Sequence, residues 1–179
     1  MDRSEDLKEI VRVFAQYGFR KTSMRDLADG LGISRQALYN RFSSKEEAFG
    51  WAARSLIEQS CEDCLAKLAD SGALRERIVN AVHSWIGQYV DLLKAAPHSA
   101  EIVAMVSDVS SEEADLATAR IRLAMTDALN QALPDISQQQ AETLAFTIHM
   151  IAKGLLGAAG SSAEYRQELE RIIGALPLD

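Results

Sequence analysis

Ser23-Met24-Arg25-Asp26-Leu27-Ala28-Asp29-Gly30-Leu31-Gly32-Ile33-Ser34-Arg35-Gln36-Ala37-Leu38-Tyr39-Asn40-Arg41-Phe42 is the stretch that decides the fold. Ser23 with Asp26 three residues on is a variant capping box, so a helix starts here. Leu27, Ala28 and Leu31 give it a short inner stripe. Gly32 stops it and allows the left-handed backbone of a tight turn. Ser34 can cap a second helix, which carries Leu38 and Phe42 inward. Two short helices joined through Leu31-Gly32-Ile33-Ser34, with Ile33 in the angle between them, form the sequence image of a helix-turn-helix. The second helix turns Arg35, Gln36, Tyr39 and Asn40 outward. Such side chains bond to phosphates or base edges, and such a helix fits the major groove.

Outward from this core the apolar spacing stays helical. Upstream, Leu7, Ile10, Val11, Phe14 and Tyr17 share one helix face that ends at Gly18. Downstream, Ser43-Ser44-Lys45-Glu46-Glu47 opens a long helix to about Ala69. Further helices are expected over about 74–96, stopped by Pro97, then over roughly 99–106, 110–134 and 137–160. The last has Tyr165, Leu169, Ile172, Ile173 and Leu176 on one face and stops at Pro177. The expectation is an all-α chain of about nine helices. A helix-turn-helix domain would occupy residues 1–46, and a helical ligand-binding and dimerisation domain residues 47–179.

Composition agrees. The chain has 179 residues, 47% apolar and 25% charged, in the range of globular proteins. Ten glycines and three prolines are too few for the turns of an all-β sandwich. No apolar run reaches the length of a membrane span, and the charged N-terminus lacks a secretory leader's apolar stretch, so a cytoplasmic protein is expected. The net charge of −7 would seem to exclude a nucleic-acid partner, but its distribution does not. Residues 1–45 hold nine Lys/Arg and six Asp/Glu, whereas residues 46–179 hold ten and twenty. A basic head on an acidic body meets a polyanion with one end only.

The entry Gly18-Phe19-Arg20-Lys21-Thr22-Ser23, the turn Gly32-Ile33-Ser34, the helix end Leu38-Tyr39-Asn40-Arg41-Phe42 and the opening Ser44-Lys45-Glu46 stand in one order. Over about residues 4–50 the chain thereby resembles the N-terminal domain of the tetracycline-repressor (TetR) family. The resemblance implies that Thr22 and Ser23 meet the DNA backbone and that Arg25 reads a base. It puts Ser34, Arg35, Gln36 and Ala37 at the base-facing start of the recognition helix. It makes Tyr39 and Lys45 phosphate contacts, with Asn40 and Arg41 on the same surface. It also implies a double-stranded operator, a homodimer and a small-molecule effector, with no cofactor or metal and no enzymatic activity. Two departures are visible: Gly30 stands at an alanine-like position, costing roughly 1 kcal/mol of helix propensity, and Ala48 stands where leucine is usual.

Beyond residue 50 the resemblance is one of architecture. Leu144–Ala159 is apolar nearly all round, so one face is expected to meet a partner chain. Gly154 and Gly157 would let two helices approach there, with Ile172 and Ile173 of the last helix completing the interface. Trp85, Tyr89, Met105, Phe146, His149 and Met150 are the candidates to line an effector pocket. Few charges accompany them, which suits an apolar or aromatic ligand. The alternatives are an ordinary core, with His149 a satisfied core histidine, and a regulator that answers to a protein or redox signal. Cys61 and Cys64 form a lone C-x-x-C on the stripe of Ile57, Leu65 and Leu68, which reads as core packing, with redox sensing the alternative. His98, after Pro97, is expected in a solvated loop. A helical enzyme or interaction module is the rival from another class, but no G-x-S-x-G, P-loop, H-E-x-x-H or G-x-G-x-x-G is present.

Overall fold

A computed structural model describes residues 3–178, apart from the side chains at 3, 4, 93, 95, 107 and 108. Among the described residues there are ten α-helices and no strand: α1 Arg3–Tyr17, α2 Met24–Gly30, α3 Arg35–Tyr39, α4 Lys45–Ala69, α5 Leu74–Trp85, α6 Val90–Ala95, α7 Ser99–Val109, α8 Ser111–Ala132, α9 Gln138–Ala158 and α10 Ser162–Gly174. The caps are those the sequence spells out. Ser23 and Asp26 exchange both bonds of a capping box, Ser137 and Gln140 do the same at α9, and the Ser34 hydroxyl accepts from the Ala37 amide. Gly18 and Gly32 hold the left-handed backbone of their turns, at φ +77° and +64°.

The helix expected over 74–96 is broken. Ile86 departs to φ −124°, ψ −48°, a 3-10 turn covers Gly87–Tyr89, and α6 follows. The cause is packing. A Cβ at Gly87 would lie 2.5 Å from the Tyr165 ring and 2.7 Å from His83. Tyr165 is wholly buried, and its hydroxyl donates to the Ala152 carbonyl at 3.1 Å. The chain bends so that backbone alone passes under that ring, and this break separates α5 from α6.

The helices fall into two compact units. One comprises residues 1–58 and 92–114, the other residues 59–91 and 115–179. In the first, Phe14, Leu27, Leu38 and Phe49 are almost entirely buried, joined by Ile102 from α7. Phe14, Phe19 and Phe49 form a triangle of rings 5.2–5.5 Å apart. His98 is half-buried rather than solvated. Its amide donates to the Ala15 carbonyl at the end of α1, and its Nδ1 lies 3.4 Å from Glu101. In the second unit α10 packs on α5 and α9, around Ile78, Leu129, Ile148 and Leu169. No helix among the described residues is long and apolar enough to cross a membrane.

Gly30 has a reason that the sequence hides. A Cβ there would lie 2.6 Å from Val13 Cγ2 and 2.9 Å from Glu9 Oε1, so α2 rests on α1 at backbone distance. Helix propensity favours alanine by about 1 kcal/mol, while overpacking costs about 1–3 kcal/mol. Gly30→Ala is therefore expected to destabilise the protein. A denaturant midpoint at or above that of the parent would show that the α1–α2 contact is loose.

Candidate nucleic-acid interface

The outer surface of the helix-turn-helix is built by what its inner surface hides. Leu38 is fully buried and fixes the rotation of α3. Arg35, Gln36, Tyr39 and Asn40 are consequently exposed along one side, with Tyr39 about half exposed and Ala37 half-buried between them. The Gln36 side-chain amide donates to Asn40 Oδ1 at 3.1 Å, which orders two polar groups one turn apart. Ser34 is exposed at the helix start, its hydroxyl engaged in the cap.

On α2, Arg25 is exposed and lies 3.5 Å from Asp29, a pair open to solvent on both sides. Thr22 is buried; its hydroxyl donates to the Gly18 carbonyl at 2.8 Å and so faces the loop. Ser23 is exposed, yet its amide and hydroxyl both donate to Asp26 Oδ2, at 2.8 and 2.6 Å. Those bonds from Ser23 hold the Asp26 carboxyl below its usual range. The Thr-Ser pair therefore closes the turn before α2 through its side chains.

Two cations that the sequence assigns to DNA are engaged inside the head. Arg41 bonds the buried Asp6 of α1 at 2.8 Å. Lys45, the first residue of α4, donates to three backbone carbonyls, Phe19 at 2.8 Å, Arg20 at 3.1 Å and Thr22 at 3.1 Å, and lies over the Phe19 ring. An ammonium has three N–H donors, and these three acceptors use them. Arg20 and Lys21, in the loop those carbonyls belong to, are both exposed, and neither forms an ion pair among the described residues. They were legible only as part of the basic count around the motif.

The residues expected around an effector separate. Met105 packs against the core of the first unit. Phe146 and Met150 are about half exposed on the outer side of α9, with Arg122 over the Phe146 ring. That leaves Trp85, whose ring stands 5.1 Å from His149, and Tyr89, whose burial pushes its phenol up to about 12. His149 Nδ1 is buried without a hydrogen-bond partner among the described residues, and burial with the nearby Lys153 and Arg122 lowers the ring's pKa. An open cleft of about 520 Å³ in the second unit runs past Asp135, Gln139, Thr143 and Pro177, and none of the six lines it. Of the residues expected at an interface, Gly154 and Gly157 are exposed and a side chain at either would meet open space. Ile173 is instead wholly buried within its own unit, and Ile172 half-buried.

Comparison with known proteins follows this division. Residues 7–49 match the family described as bacterial regulatory proteins, tetR family. The HTH-type transcriptional regulator YezE of Bacillus subtilis is 35% identical over 72 residues, 40% of this chain and 37% of YezE. The HTH-type transcriptional repressor KstR2 of Mycobacterium tuberculosis is 41% identical over 56 residues, 31% of this chain and 28% of KstR2. The chain thus spans about a third of the length of these curated relatives. The solved structure of KstR2, a ketosteroid transcriptional regulator, aligns with a TM-score of 0.58 over 96% of this chain and 93% of that one at 20% identity. FadR of Bacillus subtilis, solved with stearoyl-CoA, aligns with a TM-score of 0.60 over 97% and 98% at 12% identity.

Cys61 and Cys64 are both buried, and Cys61 Sγ points to the Ala117 carbonyl at 3.8 Å. Burial raises both thiols, Cys64 to about 12. Both thiols are therefore held protonated and are shielded from reagents by the fold. Neither cysteine is expected to react with a disulfide reagent at pH 8 in the folded protein, and both are expected to react in denaturant. Rapid labelling of the folded chain would restore the redox alternative.

Proposed function

Because the chain belongs to the tetR family of bacterial regulatory proteins, we propose that it is a sequence-specific DNA-binding repressor, homodimeric and released by a small molecule. The observation that carries this reading is the exposed row Arg35, Gln36, Tyr39 and Asn40 on α3, with Arg25 on α2, above the buried Leu27, Ala28, Leu31 and Leu38. Arginine pairs bidentately with guanine O6 and N7, and glutamine or asparagine with adenine. The work is binding, carried out in the cytoplasm where the chromosome lies, and no reaction is assigned.

A recognition helix reads one half-site, so an operator of two half-sites needs two heads. The second copy docks on the outer stripe of α9. Phe146, Met150, Gly154 and Gly157 follow one another at helical spacing and are all exposed. Half-exposed large apolar side chains beside bare glycine backbone are what a close helix–helix contact between subunits uses. Phe146 and Met150 thus belong to this surface rather than to a ligand pocket.

The effector reading rests on Trp85 and His149. A flat aromatic wall beside a buried, unpartnered imidazole nitrogen suits a small apolar or aromatic molecule with one hydrogen-bonding group. KstR2 as a ketosteroid regulator and FadR with bound stearoyl-CoA support a ligand of that apolar kind.

Selection of bound duplexes from a random pool tests the function. Enrichment of a two-fold symmetric site is expected, and no enrichment would overturn the reading. Arg25→Ala and Arg35→Ala are each expected to relax base preference at one symmetric position, at about 1–3 kcal/mol. Unchanged preference in both would move the reading surface elsewhere.

Gly157→Leu tests the assembly. Since a side chain there meets open space in the subunit, the variant is expected to keep its helicity and to sediment as a monomer with weak operator binding. A folded dimer that still binds the operator would sink the α9 interface.

A further inference from the structure

The Lys45 ammonium is not available to DNA in the way its position suggests. Its donors converge on the carbonyls of Phe19, Arg20 and Thr22, 23 to 26 residues earlier in the chain, and the Phe19 ring lies beneath it at 4.8 Å. A cation so placed has exchanged water for three carbonyl dipoles and an aromatic face. To meet a phosphate it would have to release them.

What Lys45 does hold is the loop 19–22. That loop leads directly into the N-terminus of α2, whose Ser23 cap and Arg25 lie at the exposed edge. α4 begins shortly after α3 ends, so the same bonds tie the loop to the far end of the recognition helix. The remaining groups of the loop are engaged on the inside. Thr22 donates both its amide and its hydroxyl to Gly18, and Phe19 is stacked on Phe14. Arg20 and Lys21 send their side chains to solvent. With the Phe19, Arg20 and Thr22 carbonyls fixed on the inner side, the exposed side chains of Arg20 and Lys21 project from a held backbone.

We infer that Arg20 and Lys21 form the backbone-phosphate contact at this edge of the head, and that Lys45 is their positioning residue. The partner is the sugar-phosphate backbone of the same operator, so the inference rests on the DNA-binding reading above. Its chemistry is that of a mobile pair of cations on a pinned loop: neutralisation of about two phosphates per head without base discrimination.

The test is a double-mutant cycle on the full-length protein, read as the slope of log K against log salt on the duplex recovered by selection. Arg20→Ala with Lys21→Ala is expected to lower the magnitude of the slope by about 0.9 for each phosphate that is no longer neutralised, with the order of preferred bases unchanged. Lys45→Met alone should lower it by a similar amount. Added to the loop variant it should lower it no further, because it acts through the same two cations. Lys45→Arg keeps the charge but cannot bring three donors to one point, so it should behave like Lys45→Met. Amide exchange supplies a readout that needs no DNA: in Lys45→Met the Thr22 amide should exchange about tenfold faster or more, as expected for local opening of a loop, while the Leu38 amide keeps its protection.

A further drop when Lys45→Met is added to the loop variant, with Lys45→Arg behaving as the parent, would make Lys45 a phosphate ligand and overturn the assignment while leaving DNA binding intact. An unchanged slope in the loop variant would remove Arg20 and Lys21 from the interface. Failure of the parent protein to enrich any duplex would overturn both this inference and the reading beneath it.

Discussion

Three phenyl rings hold the unit that carries the helix-turn-helix in register. Phe14 comes from α1, Phe19 from the loop after it and Phe49 from α4, and each ring touches the other two. Such contacts add about 0.5–1.5 kcal/mol each beyond the area they bury. Their larger effect is geometric. Phe49 stands one turn beyond Lys45, so seating it in the core sets where that ammonium sits, and Phe19 is the platform beneath it. The position of the loop after α1 relative to α4 follows from this packing. Gly30 separately lets α2 lie against α1 at backbone distance.

Local signals in the sequence are the ones that carry over to the structure. The capping box at Ser23, the cap at Ser34, the glycine turn at Gly32 and the stripe Leu7, Ile10, Val11 and Phe14 of α1 each rest on neighbours within about four positions, whereas Tyr17, expected on that stripe, is about half exposed. Periodicity and capping rules operate at that range. The misses lie at long range. Gly87 alone weakens the helical pattern without fixing a break; what fixes it is the Tyr165 ring, 78 positions later, closing over the bare backbone. Arg41 finds Asp6, 35 positions earlier, and Lys45 finds carbonyls more than 20 positions back. An exposed cation and an internally engaged one look alike in a list of basic residues. For the same reason Phe146 and Met150, large and apolar, read equally well as a pocket lining and as an outward face. Only the rotation of α9, set by burial of Ala145, Ile148 and Ala152, separates the two.

The unit that carries the interface is also larger than the motif that announces it. Ile102, on a helix about sixty residues beyond the recognition helix, is buried in its core, and Leu92, Ala96 and Met105 pack on that core. The His98 amide satisfies the Ala15 carbonyl at the C-terminal end of α1, where a helix leaves carbonyls without partners. A segment that closes an open helix end and fills a core is part of the folding unit, however far along the chain it lies. The family match over residues 7–49 therefore stops short of part of the core on which the helix-turn-helix rests.

Magnitudes decide which basic residues remain for DNA. Arg25 and Asp29 form a pair about two-thirds exposed on both sides, and exposed pairs of this kind contribute about 0–1 kcal/mol. In the proposed complex a guanine that offers arginine two hydrogen bonds would outweigh that, so the pair is no obstacle to Arg25 meeting a base. Arg41 differs because its partner is buried. Removing the guanidinium would leave the Asp6 carboxylate uncompensated among apolar neighbours, at a cost on the order of 3 kcal/mol. One phosphate contact at the protein surface does not offset that cost. Arg41 thus fastens the end of α3 to α1, and in the proposed complex the contacts to bases would fall to cations whose own partners are weak.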